Sequence, residues 1–81
     1  MTSQKNLAGE FTRPNVLTDI ELKYLTMIAE GNHPSNIART DDTSEVKVHG
    51  ILNSARDKLG ATNLLNAVSI ALLKGVILRE I

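Results

Sequence analysis

From Leu17 onward, apolar positions recur at helical spacing, and the polar breaks between them fall where helices start and stop. The stretch "LTDIELKYLTMIAEGN" predicts a first helix. Thr18 with Glu21 three residues later makes a capping box, and Leu17 can close over Leu22 as a hydrophobic staple. Tyr24, Leu25 and Ile28 share one face, and Gly31 supplies the left-handed stop. "NHPSNIART" predicts a second helix of about two turns, with Pro34 at its first position and Asn32 or His33 as its cap. Ile37 and Ala38 face inward, and the helix ends near Thr40.

"DDTS" then provides both a turn and a cap. Asp42 with Glu45 forms a second box of the D-x-x-E kind, and Ser44 competes for the same role. The third helix runs to Lys58 or Leu59 and stops at Gly60. Thr62 or Asn63 caps a fourth, "LLNAVSIALLK", which stops at Gly75, and the apolar tail "VILREI" can pack back on the core. No strand pattern interrupts the series, so the fold class is all-α, with four helices and short connections.

The third helix separates into two faces. At about 100° per residue, Ile51, Leu52, Ala55 and Leu59 fall within about 60° of Val48 and form the core stripe. Val46, Gly50, Asn53 and Asp57 point the opposite way, with Lys47, Ser54 and His49 on the flanks. This outward face is small and polar, with a glycine in its middle. A helix entering a DNA major groove needs that character, and Lys47, Arg56 and Lys58 add charge for phosphate contacts. A short helix, a tight turn and a longer helix with a polar outer face form the helix-turn-helix arrangement. Solvation of an ordinary surface helix accounts for the same polarity, so the face alone does not decide.

Composition narrows the classes. The chain has 81 residues, 42% of them hydrophobic, which suits one small globular domain. One Tyr, one Phe and no Trp leave the core to aliphatic side chains, and the lack of Cys excludes disulfides, thiolate zinc sites and a thiol nucleophile. Residues 1–16 are polar, contain Gly9 and Pro14, and read as a flexible arm ahead of a domain over 17–81. No apolar run reaches the roughly 20 residues of a membrane span, and the opening residues lack the apolar segment of a secretory signal, so a cytoplasmic location is expected. Nine basic and nine acidic residues cancel, a balance that counts against nucleic-acid binding unless the charge is local.

Candidates for chemistry are few. His33 and His49 have no third ligand at a recognisable spacing, so no metal site is expected. Asp41 and Asp42 form an acid pair without a nucleophile or base, better read as turn and cap. The glycines occur singly, which excludes a phosphate-binding loop. No enzyme activity and no cofactor are expected.

In order and at spacing, one set of residues resembles the LuxR-type (NarL/FixJ-class) DNA-binding domain of bacterial transcription regulators. The set comprises Leu17-Thr18, Glu21, Leu25, Ala29, Gly31, Ile37-Ala38, Ser44-Glu45, Val48, Lys58-Leu59-Gly60, Asn63, Ala67-Val68, Ala71 and Gly75-Val76-Ile77. It covers about three quarters of the chain without gaps. The resemblance implies a four-helix domain whose third helix, about 44–58, sits in the major groove of double-stranded DNA. Lys47, His49, Gly50 and Asn53 would face bases, Ser54 would contact the DNA from the flank, and Arg56 and Lys58 would lie near phosphates. It also implies a homodimer through the fourth helix, where Leu65, Leu72 and Leu73 belong to an apolar stripe wider than one core contact needs.

Departures from the family pattern are concentrated on the DNA side. The usual Thr-Val-Lys opening of the groove helix is Lys47, Val48 and His49, the family histidine two residues on is Ile51, and Leu64 replaces an arginine. Asp41 and Thr43 stand where the turn is usually apolar. The sequence therefore carries two functional readings. The first is a bacterial transcription regulator, or its output domain, that binds DNA sequence-specifically as a homodimer. The second is a degenerate helix-turn-helix module that pairs with another LuxR-type regulator.

Overall fold

The computed structural model describes residues 16–77, which form α1 (Asp19–Ala29), α2 (Pro34–Thr40), α3 (Glu45–Lys58) and α4 (Leu64–Leu73). Among the described residues there is no strand. The arm expected over 1–16 lies outside them except for Val16, as does the end of the apolar tail after Ile77.

Each helix begins on a side-chain cap that the local sequence specifies. In α1 both halves of the box form: the Thr18 N–H donates to Glu21 Oε1 at 2.8 Å, and the Glu21 N–H donates to Thr18 Oγ1 at 3.2 Å. His33, not Asn32, caps α2, its Nδ1 accepting from the Ser35 N–H at 3.1 Å. Asn63, not Thr62, caps α4, with its side chain accepting from the Asn66 N–H at 2.8 Å.

The start of α3 decides between two expectations. Ser44 is the cap, accepting from the Lys47 N–H at 3.1 Å, and the Asp42–Glu45 box does not form. The reason is backbone conformation. Asp42 has φ of +55°, whereas an N-cap needs the extended backbone that Ser44 holds at φ −89° and ψ 151°. Asp42 instead closes α2: the Thr43 N–H reaches the Ala38 carbonyl at 2.9 Å and the Asp42 N–H reaches that of Arg39 at 3.3 Å. The same paired bonds close α1, α3 and α4, where the left-handed residue is Gly31, Gly60 or Gly75. Aspartate is among the few non-glycine residues that tolerate this conformation.

The core is built around α3, which packs against α1, α2 and α4, while α1 also meets α2 and α4. Val48 and Leu52 on α3 are buried with Leu25 on α1 and Ile37 on α2. Burying each such side chain stabilises the fold by about 1.5–3 kcal/mol before entropic costs. Ala67 and Ala71 present one small, buried face of α4 to this cluster, and Ile77 folds back to cover it. Leu17 and Leu22 lie partly buried against the same core, as a staple requires.

Candidate functional site

The outward face of α3 stands where its periodicity puts it. Val48, Leu52 and Ala55 are buried, while Val46, Gly50, Asn53 and Asp57 are exposed along the opposite side. A connection of four residues, Asp41 to Ser44, separates α3 from α2. Among the described residues, the side chains of Lys47 and Asn53 have no hydrogen-bond or ionic partner. A side chain built at Gly50 would meet nothing within 4 Å. His49 lies beside this row, with Nε2 3.6 Å from a Glu45 carboxylate oxygen one turn earlier. Lys47, His49, Gly50 and Asn53 thus form one accessible surface of modest charge.

The other three expected DNA contacts have intramolecular partners. Arg56 donates to Asp57 Oδ1 through Nε at 3.1 Å and Nη2 at 2.9 Å. Ser54 Oγ donates to Glu21 Oε2 at 2.5 Å, and Lys58 Nζ donates to Glu21 Oε1 at 2.9 Å and to the Val16 carbonyl at 3.2 Å. Ser54 and Lys58, one turn apart on the same flank of α3, therefore turn toward α1. Placing them on a phosphate-binding surface would require breaking these bonds.

Glu21 is the residue whose role the local pattern understated. It was legible as a helix cap, yet it is also the one buried charged residue among those described, only 5% exposed. Burial alone pushes its carboxyl pKa up, but hydrogen bonds from Ser54, the Thr18 backbone and Lys58, with the Lys58 charge, outweigh that and hold it at about 2. The partners on α3 are 33 and 37 residues away, beyond any local spacing rule. The available signal was the pair Ser54 and Lys58 at i, i+4 beside the core stripe.

Asp41, which stands where the family's turn is usually apolar, ties the turn to α1. Its two carboxylate oxygens each accept from Lys23 Nζ at 3.0 Å. The Lys23 bonds first, and then the Tyr24 hydroxyl, lower the Asp41 pKa, while burial and the Asp41 carboxylate raise that of Tyr24. The polar turn residue therefore links the α2–α3 connection to α1.

On α4, Leu65 and Leu73 are 77% and 87% exposed, and Leu72 is 37% exposed. The first two contribute little to the fold of a single chain. A cleft of about 300 Å³ opens between the approach to α1 and the ends of α3 and α4, walled by Leu17, Leu22 and Leu59 with Lys58 and Lys74 at its edge. No acid–base pair or nucleophile converges there, and no group of three possible metal ligands occurs among the described residues. Nor is any helix among them long and apolar enough to cross a membrane. No family model, no curated protein and no solved structure matches the chain.

Proposed function

We propose that this chain is a LuxR-type helix-turn-helix domain of a bacterial transcription regulator, acting in the cytoplasm, that reads duplex DNA through α3 as a homodimer. One observation carries the reading: Lys47, Gly50 and Asn53 stand unpartnered and open on the outward face of the helix that follows the α2 turn. Asn53 supplies a donor and an acceptor that fit adenine, Gly50 allows close approach to the groove floor, and Lys47 supplies charge for a phosphate. The exposed leucines of α4 supply the second half of the proposal, a symmetric contact between two copies.

The test is a titration of the protein with a mixed-sequence duplex at two salt concentrations, followed by backbone amide shifts. Shifts confined to 44–58 that weaken steeply with salt support the proposal.

A second reading is favoured by the pairing of Arg56 with Asp57 and of Lys58 with Glu21, which removes two expected phosphate contacts. In it the domain keeps its fold but not its groove reading, and pairs with another LuxR-type regulator through α4. A silent α3 at low salt, with α4 still engaging such a partner, selects this reading.

A further inference from the structure

We infer that Val46 is a specificity residue that packs against the C5-methyl group of a thymine about two to three base pairs from the adenine held by Asn53. The inference rests on the reading of α3 as the groove helix and deepens it by naming the bases.

Val46 lies in the first turn of α3 and is 82% exposed. It has no packing role within the described chain, and a β-branched residue is a poorer helix former than Ala, Lys or Glu at such a position. On α3 it is the single exposed large hydrophobic residue, so it does not belong to an apolar patch of the kind that marks a protein-docking surface. The other exposed large apolar side chains lie around the start of α1, Val16 and Ile20, and on α4 and the residues just after it.

Position on the helix supplies the rest. Val46, Gly50 and Asn53 share the outward row opposite Val48, and groove helices contact bases mainly with their N-terminal residues. Valine can neither donate nor accept a hydrogen bond. The one apolar group that a base edge presents in the major groove is the methyl of thymine. Seven residues of α-helix rise about 10.5 Å. With base pairs about 3.4 Å apart and a groove helix inclined to the duplex axis, that distance spans about two to three steps. Gly50, with open space around its α-carbon, leaves the intervening floor unobstructed. Recognition of an A·T-containing element with this spacing follows from the row as a whole.

The full chain is first used to enrich binders from a randomised duplex pool, and each thymine of the enriched site is then replaced singly by deoxyuridine, which removes only the methyl group. One replacement, about two to three base pairs from the essential adenine, is expected to weaken binding about fourfold, the value of one buried methyl. Val46→Ala is expected to lose the same factor on the thymine duplex and to be indifferent to deoxyuridine at that position. Its circular dichroism should match that of the parent chain, because the side chain is exposed. If uracil is tolerated at every thymine, or costs Val46→Ala as much as the parent, the assignment of Val46 is overturned while DNA reading by α3 stands. If no duplex is enriched, both fall together.

Discussion

Lys58 Nζ and Glu21 Oε1 lie 2.9 Å apart, joining the last turn of α3 to the first turn of α1 across 37 residues of sequence. Because Glu21 is also half of the α1 capping box and the acceptor for Ser54, a single carboxylate fixes both the start of α1 and its docking on α3.

This arrangement makes the fold acid-sensitive in a defined window. An unfolded glutamate titrates near 4.5, and in the folded chain Glu21 titrates at about 2. Its stabilisation is complete above about pH 4.5 and is lost as pH falls from there toward 2, with a magnitude on the order of 3 kcal/mol. Urea unfolding midpoints at pH 7, 4 and 2.5 should decline in step. Glu21→Gln should start lower at pH 7, by about 2 kcal/mol, and decline less across the same window.

The cations of α3 should divide into two kinds. Lys58→Met is expected to cost stability, about 1–2 kcal/mol, because a buried carboxylate loses a charged hydrogen bond. It should leave the salt dependence of DNA binding nearly unchanged. Lys47→Ala should leave the melting temperature unchanged and lower the slope of log affinity against log salt by about 1. Asn53→Ala should relax base preference by about 1–3 kcal/mol at one position, whereas an equal loss across all sequences would remove Asn53 from base reading.

Asp42 occupies the left-handed position that glycine fills at the ends of the other three helices. Asp42→Gly is therefore expected to raise stability by up to about 1 kcal/mol, measured by thermal unfolding. The converse change, Gly60→Ala, forces a Cβ into φ +68° and should lower stability by about the same amount.

The α4 leucines test the two-fold contact. Leu65→Glu and Leu73→Glu should leave the monomer's unfolding nearly unchanged, since both side chains are more than three quarters exposed. Each should abolish concentration-dependent association in sedimentation equilibrium. Self-association that survives both changes places any dimer elsewhere.

The sequence alone determined the four helices, the glycine stops of three of them and the faces they bury. These features depend on interactions within a few residues: the Thr18–Glu21 box, the stops at Gly31, Gly60 and Gly75, and the period that buries Val48, Leu52 and Ala55. It left open the choice between neighbouring caps. Asp42 and Ser44 are equally good N-cap residues by type, and only the backbone conformation that closes α2 separates them.

Tertiary structure decided which polar side chains of α3 remain available. Arg56 and Asp57 are adjacent, so their pairing was within reach of local reasoning, but the capture of Ser54 and Lys58 by Glu21 required α1 to lie against α3. The same holds for Asp41, whose partner Lys23 is on another helix. Helical periodicity reports the direction in which a side chain leaves its own axis. Whether a charge then meets water or a buried carboxylate depends on which surface folds opposite, a contact between residues that the chain keeps far apart.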